Sequence, residues 1–306
     1  MPNRKPTRSL KATGMLVLLT VIWGGTFPAT KAALDVTDPM QFIAMRFGIA
    51  VLLTAPFLHK LRKIGQSSIP IAERTGFLSS KLWIAGAWVG LWLFIGYALQ
   101  ASGMKFTTAS RSGFFTGLLV VITPFVAHLF RTSRTPWLSL IAAPISLAGV
   151  WLMADPELGG LNTGDWLTIA CALAFAIQMV TLEAVANKTG DPWGLTFVQM
   201  VTLGGLALVW SIAEGNPLVI TKAGWFGLAY TGLFGSIFAV WLQTRYQPET
   251  TAGHAALIFT LEPVFAAVFA SMLLGETWTS RGLIGAGVVL TAMLWSSFVL
   301  SRQPKD

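Results

Sequence analysis

Thr107-Thr108-Ala109-Ser110-Arg111-Ser112-Gly113 opens an apolar stretch interrupted by Pro124, and Thr250-Thr251-Ala252-Gly253-His254-Ala255-Ala256 opens another interrupted by Pro263. Each leads through a short polar gap into one further apolar stretch. Earlier landmarks echo as well. Asp38-Pro39 precedes Arg46 and Asp191-Pro192 precedes Gln199, with seven residues from proline to the later residue each time. A shift of 153 lays the Asp-Pro pairs on each other, 143 the Thr-Thr-Ala triplets, and 139 Pro124 on Pro263. The last two shifts differ by about four residues, close to one helical turn. The chain reads as two copies of one unit, residues 1–155 and 156–306, meeting in the turn-rich Asp155-Pro156-Glu157-Leu158-Gly159-Gly160.

The copies are built of membrane-like material. Of 306 residues, 54% are hydrophobic and 11% charged, whereas a soluble domain carries charge on about a quarter. The apolar residues fall into ten runs: 13–33, 40–58, 82–102, 110–130, 137–154, 164–186, 193–213, 223–246, 253–274 and 282–300. About 20 apolar residues span a bilayer as helix. The expected fold is an all-α polytopic membrane protein with ten transmembrane helices in two five-helix repeats. Five crossings per copy turn the copies upside down relative to each other, a pattern of secondary transporters.

The net charge of +8 is explained by position. Alternating runs sort the loops by side. Fifteen Lys and Arg fall with the two termini, and five (Lys31, Lys105, Arg111, Lys222 and Arg281) fall opposite. The positive-inside rule then places both termini in the cytoplasm, in a multi-pass protein of the plasma membrane, the inner membrane of a bacterium. The basic balance implies contact with the lipid bilayer and no nucleic-acid partner. The single cysteine, Cys171, lies in an apolar run, so an internal disulfide or thiolate cluster is excluded. The basic amino tail and first run are expected to be retained rather than cleaved.

Pro28, Pro124, Pro144 and Pro263 interrupt apolar runs. Each frees a backbone carbonyl and bends the helix, which serves either shape or gating. Trp23-Gly24-Gly25-Thr26-Phe27, Arg46-Phe47, Ser110-Arg111-Ser112-Gly113-Phe114, and Leu261-Glu262-Pro263-Val264-Phe265 with Leu274-Gly275-Glu276 together resemble the EamA family of the drug/metabolite transporter superfamily. The resemblance spans nearly the whole chain. It implies ten helices in two inverted repeats and export of amino acids or related metabolites; some relatives carry nucleotide sugars or triose phosphates. The first copy departs from the pattern, reading Leu129-Phe130-Arg131-Thr132 where a Leu-Gly-Glu-like turn is common.

Polar groups at membrane depth are costly, about 2.5–3.5 kcal/mol for an arginine on insertion scales, so each needs a reason. Glu262 lies near the middle of its run before Pro263. His254, Ile258 and Glu262 are spaced to share one helix face, either a wet pathway ending in a protonatable carboxyl or a structural carboxyl bonded near the kink or to Arg46. Arg46 serves either a substrate carboxylate or a tie between helices. Gln178 and Gln199 are interhelical amides or substrate contacts. Arg111 and His254 are copy equivalents on opposite faces, either gates or interfacial residues, and Phe115 follows Arg111 by one turn. Most of the 13 tryptophans belong to the interfacial belt. Trp23, with Thr26 one turn on, and Trp88, Trp92 and Trp241 sit deeper, either packed or lining a cavity.

Nothing points to catalysis. There is no Walker loop, no Gly-x-Ser-x-Gly elbow, and no paired spacing among His59, His128 and His254. A non-enzyme without cofactor or metal is expected, acting as an alternating-access exporter of a small molecule, an amino acid first, with protons as a coupling ion. An exporter of lipophilic cations is the alternative; a membrane-embedded enzyme or non-transporting subunit is a third reading. Monomer and homodimer both remain open.

Overall fold

The computed structural model describes residues 10–35, 37–66, 75–130, 141–153, 160–250, 252–277 and 279–301. Their regular structure is all helix, with no strand among the described residues. The first half holds α1 (Leu10–Leu34), α2 (Pro39–Thr54), α3 (Leu58–Gln66), α4 (Ser80–Met104), α5 (Ala109–Gly117), α6 (Leu119–Leu129) and α7 (Ala142–Met153). The second holds α8 (Thr163–Thr189), α9 (Pro192–Glu214), α10 (Lys222–Tyr230), a π-helical segment (Thr231–Phe238), α11 (Ala239–Tyr246), α12 (Ala252–Ile258), α13 (Leu261–Leu274) and α14 (Ser280–Ser301). Among the described residues, seven helical stretches are long and apolar enough to cross a membrane: Leu10–Leu34, Pro39–Gln66, Ser80–Met104, Ala109–Leu129, Thr163–Thr189, Pro192–Glu214 and Gly224–Glu249. Leu261–Leu274 and Ser280–Ala292 are shorter apolar helices. The protein is an all-α polytopic membrane protein. Its burial is inverted in the manner this requires: Leu52, Ile212, Phe226 and Met272 are exposed, while Arg46, Gln178, Gln199 and Glu262 are buried.

Local chemistry sets the helix starts. Asp38 accepts from the Met40 N–H (2.8 Å) and Asp191 from the Gly194 N–H (2.9 Å). A proline follows each, where its missing N–H costs nothing. Asp191 also holds Arg62 at 2.5 Å, pinning α3 to the start of α9. Burial pushes the Asp191 carboxyl above its ordinary pKa, against the opposing pull of the Gly194 N–H and Arg62.

The main packings join the two halves: α4 with α8 and α9, α2 with α9, α1 with α13, and α7 with α14. The fourth and ninth apolar runs are both broken, at Leu118 and at Phe259-Thr260. Their fragments pair crosswise, α5 with α13 and α6 with α12, so the two runs lie antiparallel. The ninth break follows from Pro263. Lacking an N–H, Pro263 leaves the Phe259 carbonyl without its i+4 donor, and the Glu262 N–H takes it instead at 3.0 Å. The break corrects one expectation: the continuous helix face drawn through His254, Ile258 and Glu262 is interrupted between Ile258 and Glu262.

Small residues permit these crossings. A Cβ on Gly24 would lie 2.4 Å from Phe265 Cβ and 3.0 Å from the Ala266 N, whereas one on Gly14 meets nothing within 4 Å. Gly24→Val is therefore expected to destabilise by about 1–3 kcal/mol through overpacking and Gly14→Val to have little effect, as read from thermal midpoints of the purified protein in detergent.

Candidate functional site

A central cavity lies where both halves meet. Trp23 and Thr26 of α1, Leu93, Tyr97 and Gln100 of α4, and Thr116 and Leu119 at the α5–α6 break form one part of its wall. Phe175, Gln178 and Met179 of α8, Gln243 of α11, and Phe259 and Glu262 at the α12–α13 break form the other. The space among the lining atoms, part of it continuous with the outside, is about 420 Å³.

Two aromatic pairs shape the walls. Trp23 meets Phe259 edge-on at 5.3 Å, and Tyr97 meets Phe175 edge-on at 5.3 Å. Gly96 makes the second pair possible, since a Cβ there would fall 2.3 Å from the Phe175 ring. Thr26 donates to the Trp23 carbonyl at 2.7 Å, leaving its hydroxyl occupied. The Trp23 Nε1–H, buried in the wall, has no hydrogen-bond partner among the described residues.

The amides in the wall are already satisfied in part. Gln178 and Gln243 bond reciprocally (3.4 and 3.1 Å), and Gln243 also donates to Gln247 (3.0 Å). Gln247 in turn donates to the Met179 carbonyl (2.8 Å). Gln100 donates to Thr116 (3.1 Å). Glu262 stands apart. It is 7% exposed, and its carboxyl makes no hydrogen bond or ion pair among the described residues. Its place in the first turn of α13 favours negative charge through the helix dipole, which offsets some of the cost of burying a carboxylate.

Of the residues singled out in the sequence, Trp23, Thr26, Gln178 and Glu262 come together here. Arg46 does not line the cavity and does not pair with Glu262. It is 3% exposed and donates to Ser236 Oγ (2.8 Å) and the Gly235 carbonyl (3.0 Å) of the π-helical segment. Its guanidinium lies 4.8 Å from the Tyr97 ring centroid. A Cβ on Gly235 would come within 2.8 Å of Arg46 Nη2, so the widened turn and its glycine together seat the arginine. Gln199 likewise ties helices, donating to Thr244 (3.1 Å). Trp92 packs edge-on against Trp88, and Trp241 stacks on Trp193 at 5.0 Å; neither borders the cavity. Phe115 is buried beneath Arg111, 5.7 Å from ring centroid to guanidinium. The His254 side chain lies outside the described residues.

Tyr97, Gln100, Thr116, Phe175 and Gln243 line the cavity without having been singled out. One signal was available for part of this set: Leu93, Tyr97 and Gln100 follow a helical stripe through an otherwise apolar run.

The two broken helices are capped by carboxylates from elsewhere in the chain. Glu276 accepts from the N–H groups of Ala109 (2.9 Å) and Ser110 (3.0 Å) at the start of α5. Glu183 accepts from the N–H of Ala252 (2.9 Å) at the start of α12. Ala109 and Ala252 coincide under the 143-residue shift. Where the first copy reads Leu129-Phe130-Arg131 rather than a Leu-Gly-Glu turn, Glu183 of α8 supplies the carboxylate. At the far end of α8, Asp165 holds Arg111 (2.5 Å) and Thr107 (2.7 Å). Eighteen residues separate Asp165 from Glu183, about 27 Å of helix.

Residues 10–154 and 162–298 each match the model of the EamA-like transporter family. The chain belongs to that family. An Archaeoglobus fulgidus protein named as an uncharacterized transporter is 29% identical over 279 residues, covering 91% of this chain and 83% of the relative. The uncharacterized inner membrane transporter YedA of Escherichia coli is 24% identical over 305 residues, covering 92% and 90%. A WAT1-related chloroplastic protein of Arabidopsis thaliana is 26% identical, covering 90% and 67%. One crystal structure superposes with a TM-score of 0.70 over 96% of this chain and 99% of that one, at 14% identity, which speaks to the fold alone.

Two variants test the ties. Arg46→Gln is expected to lower the thermal midpoint markedly, because charge-assisted hydrogen bonds contribute about 1.5–3 kcal/mol each; an unchanged midpoint would count against the tie. Glu276→Ala is expected to unfasten α5. A membrane-impermeant thiol reagent should then label Ser110→Cys faster, in a Cys171→Ser background, than it does with Glu276 present.

Proposed function

We propose that this EamA-like transporter is a secondary carrier exporting a small organic metabolite by alternating access through the central cavity, in exchange for protons taken up by Glu262. One observation carries the reading: a buried, unpartnered carboxyl sits in the wall of a space bounded by both halves. A buried structural carboxylate has a partner, as Asp165 and Asp191 do at their helix starts. A transport carboxylate must be free to take a proton or a ligand in turn. The breaks at Leu118 and Phe259-Thr260 border the same space, so bending there would change access to it. The charge bias of the loops supports a cytoplasmic position for both termini.

The test is transport itself. Purified protein in liposomes is loaded with a mixture of amino acids and amines, and counterflow of radiolabelled compounds is followed at several pH values. Wild-type protein is expected to carry at least one of them with a rate that varies with pH. Glu262→Gln should lose at least tenfold of that rate, or its pH dependence, while keeping its thermal midpoint. An unchanged rate and pH profile in this variant would defeat the coupling assignment.

A further inference from the structure

The cavity wall constrains the charge of its ligand more tightly than the size. Glu262 is the one acidic side chain lining it, and no lysine, arginine or histidine lines it among the described residues. The nearby cation is already engaged: Arg46 is held by Ser236 and Gly235 and rests on the Tyr97 ring. Four aromatic side chains, Trp23, Tyr97, Phe175 and Phe259, border the same space. Aromatic faces attract organic cations, most strongly where water is excluded.

A ligand carboxylate would meet the opposite conditions. It would share a desolvated space with Glu262, and like charges in such a space repel. The lining would offer it neutral donors only. The amides of Gln178 and Gln243 are bonded to each other and would have to part to serve it.

We infer that the cavity is a site for a small organic monocation, a protonated or quaternary amine, whose charge pairs with Glu262 and lies against the aromatic rings. This rests on the transport reading above and names the substrate class of the same site. A decarboxylated or amidated compound fits the site better than the free amino acid. Proton and amine then compete for one carboxylate, so the site carries one or the other.

Three probes with a common ring and different charge test this: 2-phenylethylamine, phenylalanine and phenylacetate. Binding to the full chain, purified in detergent, is measured by titration calorimetry at pH 8. The amine is expected to bind at least tenfold more tightly than either other probe. Glu262→Gln should weaken amine binding at least tenfold, and Glu262→Asp should weaken it less. The wild-type protein gives a readout independent of any variant, since amine affinity should fall as the pH is lowered. Phenylalanine or phenylacetate binding as tightly as the amine overturns the inference. So does absent amine binding, amine binding indifferent to pH, or amine binding unaffected by Glu262→Gln. The two readings can fail separately. An amine that binds but is not carried into liposomes removes the transport reading and leaves the site. Glu262-dependent transport of phenylalanine in preference to the amine removes the cation assignment and leaves the transporter.

Discussion

A hydrocarbon surround offers no hydrogen bonds, so a charged or strongly polar group at membrane depth is costly unless it finds a partner within the protein. This constraint organises the molecule. Arg46 reaches a carbonyl exposed by the π-helical widening of Thr231–Phe238. Gln178, Gln243 and Gln247 satisfy one another in a chain that ends on the Met179 carbonyl. The starts of α5 and α12 are capped by carboxylates brought from elsewhere, Glu276 in the connection after α13 and Glu183 in α8. Among the buried carboxyls described, Glu262 alone lacks a partner, and it lies in the cavity wall beside the aromatic pairs.

Much of this was legible in the sequence for a physical reason. Lipid imposes run length and apolarity, and these survive in any reading of composition. The ten runs are helical where they are described, apart from turns such as those at Leu118 and Phe259-Thr260, and the prolines at 124 and 263 mark the two runs that break there. Glu262, Trp23, Thr26 and Gln178 could be proposed for the cavity because polar or glycine-flanked positions deep in an apolar run need a reason to exist. The sequence was least informative about partners. Whether Arg46 faces a ligand or a carbonyl depends on a local widening of a helix 190 residues away, and no periodicity announces a π-helical turn.

The aromatic positions show the same limit. Trp92 and Trp241 read as deep as Trp23, yet they spend their surface on Trp88 and Trp193. Rotation of a helix by a fraction of a turn separates lining from packing, and apolar residues on every side of a membrane helix leave that rotation unmarked. Gly96 is informative only once Phe175 is seen against it. Glu183 lies near the end of an apolar run, where a charge is unremarkable. Its importance comes from the Leu129-Phe130-Arg131 departure some fifty residues earlier.

The long helix α8 carries a mechanical consequence. Between Gly164 and Gly190 it contains neither glycine nor proline, so it is a stiff rod without an internal joint. It grips Arg111 near one end through Asp165 and the α12 start near the other through Glu183, and it presents Gln178 to the cavity in between. A rod gripped in this way acts as a lever. Under the proposed alternating access, a displacement that slackens one grip would be delivered to the other, and the two mouths would share a linkage that guards the membrane against a leak through both at once.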